Sequence, residues 1–163
     1  MNPLSHPFAQ FIKEHQAPIR RLFLNLTLGD GMLSDDLAQE TFIKAYTSRD
    51  RFLHLASSRT WLYRIAYNVF YDWKRSQHPT EGLSPAHTRQ GRYDHDPNLK
   101  DDIYQAMSLL TDTERLCVTL ALVEDRPTKE VARITGLNES TIRSHIHRAR
   151  EKMTRFLKDN NYD

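Results

Sequence analysis

Apolar residues recur at spacings of three and four along most of the chain, which is the period of an α-helix that buries one face. Turn residues divide the pattern into three helical segments before residue 77 and into shorter ones after residue 99. The pattern therefore predicts an all-α fold of two small helical domains, at residues 1–77 and 99–163.

Residues 78–98 separate the two predicted domains. Between His78 and Pro97 the chain places three of its seven prolines and two of its five glycines, and no regular period continues through them. We interpret this segment as a flexible linker. Fully extended, it would span about 65 Å at about 3.3 Å per residue, enough to let two domains bind separate sites.

Segment 128–150 predicts two short helices joined by a tight turn. We expect Thr128 to cap the first helix, Gly136 to end it in the left-handed conformation, and Asn138 to cap the second through its side-chain oxygen. This pattern is typical of a helix-turn-helix that binds DNA, although amphipathic helix pairs in bundles have a similar one.

The second of these helices combines an apolar face with a basic surface. The face expected to be buried consists of Ile142, Ile146, Ala149 and Met153. The other faces carry Arg143, Ser144, His145, His147, Arg148 and Arg150. Because an α-helix fits the major groove, and because these side chains supply donors for base edges and phosphates, they indicate duplex DNA as the ligand.

The second helix of the N-terminal domain has a mixed exposed patch. The helix before it contains Pro18, where we expect a kink or a restart. We expect Ser34 to cap the second helix, with Asp35 and Asp36 in its first turn. The patch consists of Asp36, Gln39, Glu40 and Ile43. It is either an acidic surface with one stray apolar residue or a docking patch for a partner helix.

The third helix, at about residues 60–76, is apolar on two sides. One stripe consists of Leu62, Ile65, Ala66, Val69 and Trp73, and the other of Tyr63, Tyr67, Phe70 and Tyr71. A polar seam of Arg64, Asn68, Asp72 and Arg75 lies between them. The extra aromatic rings either pack on neighbouring helices, as we expect for Tyr63, or, beside Lys74 and Arg75, stack on unpaired bases.

The C-terminal domain begins with two more amphipathic segments. The face expected to be buried in the first consists of Leu99, Ile103, Ala106, Met107 and Leu110. Thr111 and Glu114 are spaced as a capping box for the next helix, which we expect to bury Leu116, Cys117, Leu120 and Ala121.

The composition and charge of the chain bear on its ligand, its location and its chemistry. The formal net charge of the 163 residues is only +2, so affinity for nucleic acid depends on where the charge lies, and from Arg143 to Lys158 the one acid is Glu151. A lone cysteine, the absence of a long apolar run and an N-terminus unlike a signal peptide favour a cytoplasmic location. Scattered histidines and the lack of a glycine-rich phosphate loop predict no metal, no cofactor and no enzyme activity.

Three segments in this order closely resemble the extracytoplasmic-function family of bacterial RNA polymerase sigma factors. They are DDLAQETFIKAY at 35–46, TWLYRIAYN at 60–68 and TIRSHIHRAREK at 141–152. The resemblance covers nearly the whole chain. It implies a helical region 2 domain, a flexible linker and a region 4 domain that together bring core RNA polymerase to promoters.

The resemblance also implies roles for individual positions. Those matching the contact with the β′ clamp helices are Asp36, Gln39, Glu40 and Phe42, and Ile43 belongs to the same patch. Those matching capture of the −10 element are Trp61, Arg64, Asn68 and the segment 52–59, to which we add Lys74 and Arg75. Those matching the helix that reads the −35 element are Thr141, Arg143, Ser144, His145, His147 and Arg148.

The partners expected from the resemblance are core RNA polymerase, through its β′ clamp helices and β flap, promoter DNA and an anti-sigma factor. Many members of the family have Arg at the position of His145 and an apolar or aromatic residue at that of His147. A regulator that binds an operator without polymerase is the main alternative, and a purely structural helical adaptor is another. The first explains the C-terminal half but leaves the patch at 36–43 and the aromatic helix without a role.

Overall fold

The computed structural model describes residues 5–52, 57–77 and 99–160, so the predicted linker at 78–98 lies outside the described residues. Every regular element in the described ranges is helical, which confirms the all-α prediction. The N-terminal part contains α1 (Ser5–Leu26), α2 (Gly31–Ser48), a 3₁₀ turn (Arg49–Arg51) and α3 (Ser58–Gln77). The C-terminal part contains α4 (Leu99–Ser108), α5 (Asp112–Val118), a π-helical turn (Thr119–Val123), α6 (Thr128–Thr135) and α7 (Glu139–Asp159).

The chain forms two compact units. The first comprises Met1–Phe23 and Met32–Gln90, and the second comprises Leu24–Gly31 and Gly91–Asp163. The short segment that ends α1 and turns into α2 therefore groups with the second unit, although α1 and α2 otherwise belong to the first.

The first unit has a core drawn from all three of its helices. Its buried apolar residues are Ile19, Leu22 and Phe23 of α1, Leu37 and Ala45 of α2, and Leu62, Tyr63, Ala66, Val69 and Phe70 of α3. Burying each large apolar side chain stabilises the folded state by about 1.5–3 kcal/mol. The buried residues therefore determine which faces of α2 and α3 remain exposed. Tyr63 packs in the core as predicted, but Phe70 is buried too, so the second stripe of α3 is not a continuous aromatic surface.

Two features of the N-terminal helices differ from the local pattern. α1 continues through Pro18, so the helix does not restart there. α2 begins at Gly31, so Ser34 is not its cap and is instead fully buried inside the helix. The backbone turns between the helices at Leu28 and Gly29, which both have positive φ, and this lets α2 start earlier than its polar residues indicate.

The second unit packs its helices around α5 and α7. Its buried apolar residues include Ala106, Met107, Leu110, Leu116, Cys117, Val118, Leu120, Val131, Ile134, Ile142 and Ala149. Leu28 packs with Tyr104 and Met107 in a small cluster that Met153 also contacts. Cys117 is fully buried, as predicted, and burial raises the pKa of its thiol to about 11.

Arg115 ties several chain segments of the second unit together. Its side chain is buried, and its Nε donates to the carbonyl of Met107 at 3.0 Å. Its two Nη atoms donate to the carbonyls of Leu110 at 3.1 Å and Leu26 at 3.2 Å. These bonds satisfy N–H groups of the buried guanidinium and join α5 to the chain at the ends of α1 and α4.

Two predictions for α4 and α5 need correction. Ile103 is 39% exposed and the neighbouring Tyr104 is buried in its place, because Tyr104 has the partners Leu28 and Met107 that sequence spacing does not reveal. The capping box is only half formed. Thr111 Oγ1 accepts from the backbone N–H of Glu114 at 3.2 Å as predicted, whereas the Glu114 carboxylate is bound by a lysine of α7.

Candidate polymerase and nucleic-acid interfaces

The turn between α6 and α7 has the geometry of a helix-turn-helix. Gly136 ends α6 at a φ of 78°, and its N–H donates to the carbonyl of Ala132 at 2.8 Å. Asn138 Oδ1 accepts from the backbone N–H of Thr141 at 2.8 Å and so caps α7. Both predictions are confirmed. The predicted cap at Thr128 is wrong, because Pro127 precedes the helix in an extended conformation and no side chain caps it.

α7 is anchored on one face and open on the others. Ile142 and Ala149 are fully buried, while Ile146 and Met153 are half-buried at the edge of the predicted face. Lys152 Nζ donates to both carboxylate oxygens of Glu114 on α5, at 2.7 and 2.8 Å. A buried acid paired in this way fixes the rotation of α7 about its axis, and the rotation decides which side chains face outward.

The outward surface of α7 contains most of the residues predicted to read DNA. The exposed ones are Arg143, Ser144, His147, Arg148 and Arg150, while Thr141 and His145 are half-buried. The acid on this stretch, Glu151, lies 3.3 Å from His147 Nε2. His145 instead approaches Arg148, with 3.1 Å between His145 Nδ1 and Arg148 Nη2.

His145 differs from His147 in its electrostatic surroundings. Partial burial lowers the pKa of His145, the positive charge of Arg148 lowers it further, and Glu114 acts in the opposite direction. The imidazole of His145 is therefore held in its neutral form more firmly than that of a free histidine.

On α3 the residues predicted to bind the −10 element divide into two groups. Arg64, Asn68 and Arg75 are exposed, whereas Trp61 and Lys74 are half-buried. The three exposed residues belong to the polar seam that the sequence predicts. The half-buried ring of Trp61 lies at the edge of the core.

Trp61 belongs to an aromatic cluster that sequence analysis only partly predicted. Its ring centroid lies 5.0 Å from that of Phe52 and 6.5 Å from that of Phe11 on α1. The ring centroid of Phe11 also lies 4.3 Å from that of His15. Phe11 and Phe52 are distant from Trp61 in the sequence, so helical spacing gave no signal that the three rings meet.

The cations of α3 are paired rather than free-standing. Asp72 Oδ1 forms a short ion pair with Arg75, and Asp72 Oδ2 lies 3.7 Å from Lys44 Nζ on α2. Lys74 Nζ lies 6.0 Å from the ring centroids of both Phe70 and Trp73. The acid and the rings therefore hold the positive groups along one side of the helix.

An open groove of about 560 Å³ lies between α2 and α3 and includes Asn68. It is lined by Lys44, Thr47, Ser48, Arg51, Ile65, Asn68 and Asp72. Lys44 and Arg51 are candidate nucleic-acid contacts that sequence analysis missed. They precede α3 by too many residues for their proximity to Asn68 to appear in the helical pattern.

The patch on α2 is exposed as predicted. Asp36, Gln39 and Glu40 are exposed, and Ile43 exposes 58% of its surface. Phe42, which the resemblance places in the same contact, is half-buried. Met32, near the start of the same helix, is 83% exposed and was not predicted. Single exposed apolar side chains are common, but two on one helix beside acidic and amide groups suit a protein partner.

Two further features are absent from the described ranges. No group of three or more His, Cys, Asp or Glu side chains there is arranged to hold a metal ion. None of the helices in those ranges is both long enough and apolar enough to cross a membrane.

Family models match both the N-terminal and the C-terminal parts of the chain. The family model for Sigma-70 region 2 matches residues 11–80, and that for Sigma-70, region 4 matches residues 100–153. The ECF RNA polymerase sigma factor SigW of Bacillus subtilis strain 168 is 30% identical over 93% of this chain and 89% of its own length. SigC of Mycobacterium tuberculosis strain CDC 1551 is 31% identical over 88% of this chain and 79% of its own length.

Solved structures show the same fold. The sigma factor RpoE of Bartonella quintana, in complex with the anti-sigma factor NepR, has a TM-score of 0.76 at 23% identity, covering 93% of this chain and 97% of that one. CnrH, in complex with the cytosolic domain of CnrY, has a TM-score of 0.71 at 20% identity, covering 94% and 89%. The chain belongs to the extracytoplasmic-function family of sigma factors, which direct RNA polymerase to promoters.

Proposed function

We propose that this sigma factor divides promoter recognition between its two units. The first unit docks on core polymerase through α2 and holds unpaired −10 bases through α3, and the second reads the −35 duplex through α7. The observation that carries the proposal is the helix-turn-helix, in which Lys152 of α7 pairs with the buried Glu114 of α5 and the basic surface of α7 lies outward.

The α2 patch is the proposed contact with the β′ clamp helices. Its members are Asp36, Gln39, Glu40 and Ile43, and the exposed Met32 extends its apolar part. A helix of a partner can bury the apolar side chains while its polar groups pair with the acidic and amide side chains. An operator-binding regulator, the main alternative, gives these exposed apolar groups no role. Membership of the sigma factor family does not favour that alternative.

The proposed −10 contacts are Trp61, Arg64, Asn68, Lys74 and Arg75. Unpaired bases need flat apolar surfaces to stack on and cations near the backbone, and α3 supplies rings and cations within a few turns. The groove beside Asn68 adds Lys44 and Arg51 as candidate phosphate contacts.

The proposed −35 contacts are Thr141, Arg143, Ser144, His145, His147 and Arg148. Arg143 lies in the first turns of α7, the end of a recognition helix that enters the major groove, so it can pair with a guanine through two hydrogen bonds. Arg155 and Lys158 lie more than two turns beyond it, and we assign them to phosphates or solvent.

We further propose domains at 1–77 and 99–163 joined by a linker at 78–98. Such a tether raises the effective concentration of one DNA contact once the other has formed. The β flap of polymerase is the proposed contact of the second domain, and an anti-sigma factor the proposed inhibitor, because the similar RpoE was solved with one. We place the protein in the cytoplasm and assign all catalysis to polymerase.

Polymerase docking can be tested by exchange of two exposed residues. The double variant Gln39→Ala and Glu40→Lys should capture at least tenfold less core polymerase in a pull-down, because it removes a polar partner and reverses a charge at the proposed interface. The control is Lys129→Ala, an exposed residue of α6 outside the patch. Undiminished capture by the double variant would contradict the docking assignment and favour the operator-binding alternative.

A further inference from the structure

Two side chains on the proposed reading surface of α7 are in contact with each other. Arg148 Nη2 lies 3.1 Å from His145 Nδ1, one helical turn earlier. A guanidinium has only donors, so the imidazole nitrogen must accept this bond through its lone pair. The contact therefore requires a neutral His145 with its proton on Nε2.

The surroundings of His145 maintain that state. The group best placed to attract a proton onto the imidazole is the Glu114 carboxylate of α5. Lys152 Nζ occupies both oxygens of this carboxylate at 2.7 and 2.8 Å. The Arg148 charge and partial burial both lower the pKa of His145, which opposes protonation further.

The contact constrains Arg148 more than His145. An arginine side chain has many rotamers, and an exposed one loses that freedom when it binds a base. A bond to His145 removes part of this freedom before DNA arrives, and it leaves four of the five guanidinium N–H groups to donate elsewhere.

We infer that His145 is a positioning residue, which holds the guanidinium of Arg148 in a fixed orientation for sequence reading by accepting a hydrogen bond on Nδ1. The inference rests on the proposed −35 role of α7. His145 then contributes to specificity through Arg148, and its protonation removes the acceptor and releases the arginine.

His147 provides an internal contrast. Its Nε2 lies 3.3 Å from a carboxylate oxygen of Glu151, so a proton gained there strengthens the contact instead of breaking it. The His147 contact therefore does not depend on a neutral imidazole, whereas the His145 contact does.

The test measures base preference position by position. Full-length protein assembled with core polymerase selects from a randomised duplex library, and the enriched duplex becomes the probe for competition binding at pH 7.5 and pH 5.5. The variants are Arg148→Ala, His145→Asn, His145→Leu and His147→Asn. Asparagine carries an acceptor oxygen close to the place of Nδ1, whereas leucine has a similar size and no acceptor.

We expect Arg148→Ala to reduce the preference at one base position by about tenfold. His145→Leu should reduce preference at that same position by about three- to tenfold, while His145→Asn keeps it within about twofold. Any fall in this preference between pH 7.5 and pH 5.5 in the unmodified protein should be absent from His145→Asn. His147→Asn should retain the fall.

Three outcomes separate the possible failures. No loss of preference in Arg148→Ala would overturn the reading role proposed for Arg148, and the inference with it. A loss in Arg148→Ala with none in His145→Leu would overturn the positioning role alone. Should His145→Leu unfold, a loss of preference in His145→Asn as large as that in Arg148→Ala would still overturn the inference.

Discussion

The two helices proposed to contact DNA, α3 and α7, organise their positive charge differently. On α3, Asp72 pairs with Arg75 and with Lys44 of the neighbouring α2, and Lys74 lies over two aromatic rings. On α7 the exposed arginines follow one another along a surface whose one acid between Arg143 and Lys158, Glu151, contacts a histidine. Restrained cations beside flat rings suit unstacked bases, whereas a row of exposed donors suits the groove and phosphates of a duplex.

The buried support of α7 should show the largest effect. Glu114→Ala removes the acceptor of two bonds from Lys152, so it should lower the free energy of unfolding of the second unit by about 2–3 kcal/mol. Urea denaturation followed by circular dichroism measures this. The matched control is Glu139→Ala on the exposed first turn of α7, where we expect a change below about 0.5 kcal/mol. Equal effects of the two substitutions would show that the Lys152–Glu114 pair does not fix α7.

Specific reading by α7 should depend on Arg143. Arg143→Ala should weaken binding to the preferred −35 duplex by about 1–3 kcal/mol and flatten preference at one base position. Lys158→Ala should weaken all sequences alike or leave them unchanged, because Lys158 lies near the far end of α7. Competition binding by the holoenzyme distinguishes the two, and identical profiles for both variants would contradict the assignment of Arg143.

Substitution of Asp72 tests whether its ion pairs limit the affinity of α3 for DNA. Asp72→Asn removes the acid that pairs with Arg75 and Lys44 while keeping the size of the side chain. Affinity for a single-stranded −10 oligonucleotide should rise by about two- to fivefold, with a steeper salt dependence, because Arg75 loses its acid partner and becomes available to phosphates, whereas Lys44 keeps its contact with Glu40. Fluorescence anisotropy at several salt concentrations measures both. Asp50→Asn, an exposed acid of the 3₁₀ turn, is the control.

The smallest effect concerns the pH dependence of folding. The pKa of His145 is lowered in the folded protein, so below a pH of about 6.5 the unfolded chain binds more protons at this residue. Its contribution to stability is therefore complete above that pH and decreases as the pH falls. His145→Asn should show a slightly smaller loss of stability between pH 7.5 and pH 5.5 than the unmodified protein. A larger loss in the variant would contradict the direction of the shift.

Sequence alone predicted the features of the fold that depend on local chemistry. Gly136 and Asn138 act on their own backbone, so their roles in the helix-turn-helix follow from residue type. The prediction failed where distant packing competes with local preference. Pro18 does not break α1, and Ser34 is buried instead of capping α2.

The candidate sites also differ in how much of each the sequence could predict. The exposed face of α7 and the patch on α2 follow from helical spacing within one helix. The contacts of Trp61 with Phe11 and Phe52, and the approach of Lys44 to Asp72, join residues of different segments. A single sequence contains no periodic signal for such pairs.

The division between α3 and α7 is tested most directly by measuring two variants against two DNA forms. Holoenzymes containing Asn68→Ala or Arg143→Ala are titrated with a labelled single-stranded −10 oligonucleotide and with a labelled −35 duplex, each compared with a scrambled sequence. We predict that Asn68→Ala loses preference for the single strand alone and Arg143→Ala for the duplex alone. Loss of both preferences in either variant, or a single-strand defect in Arg143→Ala, would contradict the division.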